Sequence, residues 1–315
     1  MQSQDMKEIM GFTTSFYETF YDPRNEIIGN SPEILFMEYI ARGEINRAVQ
    51  LFEENKLFTK QKSAVDAPQG RFEGLKEIKN FAESWLGYVN ADYGWVEPVR
   101  QAIAGGRSAT EMMLCFHVKG YEKPLKFPAC IIGELRGYQK LDEIRMYFFF
   151  KWMPGLIPYR HRIFKPSYDE PCCLNAMSGI IQEYFDALHS LDQPNGMKRM
   201  LDTFCDDIIY NGYRPLEHSK IVKGKDIVRK KYNAFITMKQ FVRVEVITDN
   251  GKTAYCEWVG VFRPKYATDE KDSLLQSGVG IYDRDPATGL LSSVRIIDNF
   301  KYEHEIDWSK VVKRY

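Results

Sequence analysis

KIVKGKDIVRKKYNAFI, residues 220–236, is a glycine turn feeding an amphipathic helix, and an earlier stretch, RFEGLKEIKNFAESWL at 71–86, has the same form. Gly74 and Gly224 hold matching places in the two. The same spacing separates the closing apolar strands IRMYFFF (144–150) and VRIIDNF (294–300). Between these landmarks, AGGRSATEMMLCFHV (104–118) and DNGKTAYCEWVGVF (249–262) each set a glycine turn before a long strand. Upstream, FMEYIARGEINRAVQLFEENKLF (36–58) matches YFDALHSLDQPNGMKRMLDTFCDDIIY (184–210), helices and then a first strand, with a longer loop in the second. Four landmarks in one order, with spacings that drift only by loop-sized amounts, define two copies of one domain. The copies span 30–150 and 174–315. Residues 1–29 add an N-terminal helical extension, and 151–173, with Pro154, Pro158, Pro166 and Pro171, form the linker.

The second copy shows the order of elements most clearly. Met177, Ile180, Ile181, Tyr184, Phe185 and Leu188 fall on one helix face. A short helix, the strand DDIIYNGY (206–213) and a third helix with Ile227, Val228 and Tyr232 follow. Then VRVEVIT, TAYCEWVGVF, LLQSGVGIYD and LLSSVRIIDNF alternate or run apolar between the turns TDNGK and RDPATG. Helices followed by a meander of long antiparallel strands is an α+β pattern, in which one sheet face wraps the helices.

Lys plus Arg and Asp plus Glu each number 43 in the 315 residues, so no net charge draws the chain to nucleic acid or an anionic membrane. Aromatic residues at 14% and only 14 prolines argue for a dense core. The most apolar stretch, MYFFFKWMPGLIPY (146–159), is cut by charge and proline short of the ~18 residues a membrane span needs. MQSQDMKEIMGF has no basic segment leading into an apolar run, so the chain reads as unexported and cytoplasmic. The six cysteines show no CxxC and read as reduced thiols.

The order helix, helix, strand, helix, meander, carried by FCDDIIYNGY (204–213), IVKGKDIVRKKY (221–232) and VRIIDNF, resembles the nuclear-transport-factor-2-like superfamily. Within it, the chain looks like the SnoaL-like polyketide cyclase branch, which also includes ketosteroid isomerases, scytalone dehydratases and limonene-epoxide hydrolases. The resemblance covers both repeats and implies two tandem cone-shaped half-barrels, each with N-terminal helices packed in a curved sheet. It also implies a mostly apolar pocket in which a few polar side chains do acid–base chemistry on small, often cyclic molecules without a cofactor. Asp298 stands where epoxide-hydrolase-like members carry an acid on the last strand, and Tyr210 matches their tyrosine on the first strand. The arginine and aspartate of that branch fall on Trp258 and Gly260, Asn211 is one position from the expected asparagine, and the isomerase base falls on Gly212.

Strand alternation then places side chains. With Asp298 inward, Ile296 and Phe300 are inward and Arg295, Ile297 and Asn299 outward; Cys256, Trp258 and Gly260 share the inner face of the paired strand. The expected catalytic set is Asp298 as acid or base, Tyr210 as hydrogen-bond donor and His218 as proton shuttle at the pocket mouth. The expected substrate-binding set is Tyr184, which could also donate, with Asn211, Trp258 and Phe300. Across the copies Tyr210 corresponds to Phe58, His218 to Pro68 and Asp298 to Phe148, and only Tyr184 keeps its partner, Tyr39. The first copy is therefore expected to be non-catalytic. Its outward Arg145, Tyr147 and Phe149 should be buried against the second copy or in a homo-oligomer.

No other chemistry is signalled. The five histidines form no HxxxH pair, so no metal is expected. GVGIYD (278–283) lacks the third glycine of a dinucleotide loop and, like DNGKTA (249–254), reads as a turn; no GxSxG occurs, and RHRIFK (160–165) reads as a solvated face. Two functions stay open. One is a cofactor-free isomerase, dehydratase or cyclase acting on a small apolar molecule; the other is a non-catalytic hydrophobic-ligand-binding or assembly protein. The expected partners are that small molecule, the packing of the two domains on each other and a possible homodimer, with no nucleic acid and no membrane.

Overall fold

The computed structural model describes residues 27, 29–52, 62–137, 139–148, 177–213, 221–237, 239–263 and 274–300. The chain divides into two compact units, Met1–Ile163 and Phe164–Tyr315. The first unit holds α1 (Pro32–Ala41), α2 (Ile45–Val49), β1 (Ala64–Ala67), β2 (Gly70–Glu73), α3 (Leu75–Tyr88), β3 (Ala91–Ala104), β4 (Arg107–Val118), β5 (Leu125–Arg136) and β6 (Lys140–Phe148). The second holds α4 (Gly179–His189), α5 (Gly196–Asp202), β7 (Phe204–Tyr213), β8 (Val222–Lys223), α6 (Lys225–Thr237), β9 (Lys239–Asp249), β10 (Thr253–Arg263), β11 (Leu274–Arg284) and β12 (Leu291–Phe300).

The two sheets run β2-β1-β6-β5-β4-β3 and β8-β7-β12-β11-β10-β9, which is one connectivity written twice. In each, the last strand pairs parallel with the first, β6 with β1 and β12 with β7, and every other pairing is antiparallel. The chain is a tandem α+β protein of two half-barrels. Among the described residues, no helix is long and apolar enough to cross a membrane.

The twin glycines that reveal the repeat also fix its geometry. Gly74 and Gly224 have φ of 84° and 90°, a region that suits glycine and strains other residues. Each donates its N–H back across the hairpin, Gly74 to the carbonyl of Ser63 just before β1 at 2.7 Å and Gly224 to the carbonyl of Ile208 in β7 at 2.8 Å. Each carbonyl then accepts the first bond of its helix, from Ile78 or Val228. These bonds lock the register. Val65 pairs with Ile144 in the first unit where Tyr210 pairs with Val294 in the second. The counterpart of Tyr210 is therefore Val65, and Phe58 lies outside the described residues. Phe148, paired with Ala129, does stand in the place of Asp298, paired with Gly278.

The inner layer of the first unit is aromatic. Trp85 of α3 meets Phe148 edge-to-face at 5.8 Å and packs near Phe81 and Phe116, while Phe36 of α1 crosses Phe52 at 5.5 Å. Phe148 thus fills the space beneath α3. On the opposite face Tyr147 and Arg145 are buried, and Arg145 is paired with Glu134 at 2.7 Å and Glu143 at 3.1 Å. Burial alone would raise the Glu143 carboxyl, but Arg145 and Arg71 hold it below the usual range. Phe149 lies outside the described residues.

Candidate active site in the second unit

The inner layer of the second unit has the same architecture but different chemistry. Four tyrosines reach it from four elements: Tyr184 from α4, Tyr210 from β7, Tyr232 from α6 and Tyr282 from β11, none more than 5% exposed. On α4, Ile181, Tyr184, Phe185 and Leu188 are the buried stripe, so helical periodicity alone aims Tyr184 at the sheet. The Tyr184 and Tyr232 hydroxyls share a hydrogen bond of 2.8 Å, and the Tyr282 ring packs on Tyr184. The ring of Tyr184 lies 5.0 Å from that of Tyr282, and Tyr210 lies 5.7 Å from Tyr232. Cys256 and Trp258 of β10 and Val294 of β12 complete the apolar surround, with Ile296 packed at its edge.

Burial pushes the Tyr184, Tyr232 and Tyr282 hydroxyls above their ordinary value of 10. They remain protonated donors over the whole physiological range. The sign of the linkage follows. A raised folded value means that the stabilising contribution is complete below pH ~10 and is lost as pH climbs beyond it, at up to about 1.4 kcal/mol per pH unit for each tyrosine. Alkaline titration followed by phenolate absorbance should show these tyrosines ionising late, together with loss of the second unit's circular dichroism. Ionisation of all tyrosines in one folded-state step would contradict this.

The structure brings Tyr184, Tyr210 and Trp258 together in this layer. Asp298 and Phe300 lie on β12 in step with Val294 and Ile296, and their backbones pair with Gly278 and Gln276; their side chains are outside the described residues. Trp258, Gly278 and Asp298 occupy one row across β10, β11 and β12. The expectation that the Trp258 strand pairs directly with the last strand is corrected: β11 runs between them. His218 lies outside the described residues.

Asn211 does not share the layer. It follows Tyr210 directly and pairs with Arg295, so the pleat turns it to the opposite face. There it is fully buried, and neither amide atom has a hydrogen-bond partner among the described residues. Tyr39 is likewise no counterpart of Tyr184. It is half-buried, and its hydroxyl accepts a bond of 3.0 Å from the exposed Arg47. The true counterpart is Phe36, which packs on Phe52 as Tyr184 packs on Phe204.

Two members of the cluster were not singled out from the sequence as site residues. Tyr232 is four residues after Val228 on the buried face of α6, a spacing that is visible but says only core. Tyr282 belongs to GVGIYD, which is not a turn but the interior of β11, paired on both sides.

The first unit has a polar centre of its own, built on a residue the sequence reading did not single out. Glu33, in the first turn of α1, is fully buried. Its Oε1 accepts bonds from Ser31 Oγ at 2.8 Å, Thr110 Oγ1 at 2.7 Å, Gln101 Nε2 at 2.9 Å and Ser108 Oγ. Its Oε2 has no hydrogen-bond partner among the described residues. The register explains the room: Gly133, paired with Ile144, stands where the second unit has Tyr282, paired with Val294. A Cβ at 133 would come within 3.3 Å of Glu33 Cβ and 2.8 Å of Leu141 Cδ2.

No protein-family model matches the chain, and no curated protein matches it. Solved structures are similar to it over one unit's length. The epoxide hydrolase/cyclase-like enzyme SalBIII of salinomycin pyran-ring formation is 12% identical, covering 39% of this chain and 93% of its own, with a TM-score of 0.32. A nuclear-transport-factor-2-like protein of unknown function from Exiguobacterium sp. 255-15 is 15% identical over 38% of this chain and 98% of its own, with a TM-score of 0.32. A Mycobacterium tuberculosis protein solved with estradiol-17beta-hemisuccinate is 16% identical over 38% and 95%, with a TM-score of 0.33. The fold itself rests on the two sheets described above.

Proposed function

We propose that the second unit is a cofactor-free acid–base site for a small, mostly apolar molecule carrying a carbonyl oxygen. The tyrosine cluster donates hydrogen bonds to that oxygen, and Asp298 moves a proton to or from the adjacent carbon. The reaction class is isomerisation, dehydration or intramolecular cyclisation. His218 is assigned proton exchange with solvent, and Trp258 and Phe300 the apolar walls.

The observation that carries this is the convergence of four hydroxyls in one apolar layer. Packing does not require them. At the same four places the first unit uses Phe36, Val65, Gly133 and, counting from the twin glycines, Ala82. A buried hydroxyl costs free energy unless it is bonded, so a layer of them is kept for what it binds. Protonated phenols aimed at a developing oxyanion stabilise it without reorganisation, and a carboxylate is the group assigned the proton transfer. The first unit, with Phe148 in place of Asp298, is assigned no turnover.

Proton exchange tests the proposal. Cyclohex-2-enone incubated with the chain in deuterated water should take up deuterium beside its carbonyl faster than with buffer alone, and Asp298→Asn should remove the acceleration. Binding without exchange would favour the second reading, a hydrophobic-ligand carrier. Neither binding nor exchange would overturn both.

A further inference from the structure

Gly280 lies in the middle of β11, paired with Cys256 on one side and Ile296 on the other. A glycine there weakens the strand, and it is not among the glycines of positive φ, so no turn demands it. Tyr282 demands it. A Cβ built at 280 would fall 2.6 Å from Tyr282 Cε2 and 2.7 Å from Cζ, and closer still to the hydroxyl oxygen. The Tyr282 ring therefore lies back along its own strand, over residue 280. Its hydroxyl reaches the Cys256–Gly280–Ile296 row, next to the row of Trp258, Gly278 and Asp298.

The first unit has the pair reversed. Ile131, paired with Met146, takes the place of Gly280, and Gly133 takes the place of Tyr282. A bulky side chain moved by two positions along one strand decides what the inner layer receives. In the second unit it is a phenol from the sheet; in the first it is the Glu33 carboxylate from α1, which fits beside Gly133.

We propose that Gly280 is a positioning residue of the second unit's site, setting the Tyr282 hydroxyl against Tyr184 and beside the Asp298 row. This rests on the reading of that layer as a hydrogen-bonding site for a carbonyl oxygen. Ala at an unconstrained mid-strand position would ordinarily strengthen the strand. At 280 it pushes the Tyr282 ring out of place.

The test uses the full chain with ring-labelled tyrosine, in wild type, Gly280→Ala, Tyr282→Phe and the double variant. Gly280→Ala should shift the nuclear magnetic resonance signals of Tyr282 and Tyr184 and leave that of Tyr39 in place. The ultraviolet shift of cyclohex-2-enone should report binding weakened about tenfold by Gly280→Ala, equally by Tyr282→Phe, and no further by both together. If Gly280→Ala folds poorly, adding Tyr282→Ala should restore the melting temperature, and failure to do so overturns the clash. Unmoved Tyr282 signals, or losses that add in the double variant, overturn the positioning role. If wild type does not bind the enone, the reading of the site fails, while the tyrosine signals still decide what Gly280 does.

Discussion

Asp298→Asn is expected to reduce turnover in the second unit by about 10²–10⁴ and to leave the melting temperature unchanged or higher. The residue stands on β12 in step with Val294 and Ile296, in one row with Trp258 and Gly278, and one row from where the Tyr282 hydroxyl lies. The first unit fills the same place with Phe148 against Trp85, so the fold itself needs only an apolar side chain there. Asn keeps the shape and removes the proton carrier. Stability should not suffer, because no packing volume is lost. A clear drop in stability with activity per folded molecule unchanged would contradict the assignment.

Glu33→Leu is expected to destabilise the first unit by about 3 kcal/mol, whereas Glu33→Gln should cost about 1 kcal/mol. Two effects oppose each other. Leu removes a buried carboxylate and adds apolar burial of roughly 1.5–3 kcal/mol. It also strips the acceptor from Ser31, Gln101, Ser108 and Thr110, all buried, at roughly 1–3 kcal/mol for each donor left without a partner. Gln101 can fall back on Ser31 at 2.7 Å and Ser108 at 3.1 Å, so some of the loss is recovered and a net cost of several kcal/mol remains. Gln retains one carbonyl oxygen for these donors. Urea unfolding with hydrogen exchange read on α1 and β3–β5 measures the effect, and an equally stable Glu33→Leu chain would show that the network contributes nothing. Enone binding by the second unit should be unaffected in both variants.

The repeat was legible because its markers are stereochemical: a glycine at positive φ before each α3-like helix, and a long apolar strand at each close. The first strand was misplaced for a physical reason. β1 is only AVDA, and Asp66 interrupts its apolar run; the charge is tolerated because Arg71 pairs with it. The apolar ends of FEENKLF looked more like a strand. Tyr282 was hidden because Gly280 reads as punctuation, while the fold uses it for close approach within a strand. Glu33 was hidden because an acid beside Pro32 at a helix start ordinarily faces water and favours the helix dipole. Asn211 is a different case: being next to Tyr210, it should have been excluded from the inner face by alternation alone.

Native mass spectrometry of the chain purified gently from its host shows whether the tyrosine layer of the second unit holds a small apolar molecule by its oxygen. A small-molecule adduct is expected on the wild-type chain, and none on a Tyr184→Phe, Tyr282→Phe double variant of unchanged melting temperature. A wild-type chain without an adduct, or an adduct that survives the loss of both hydroxyls, would contradict this.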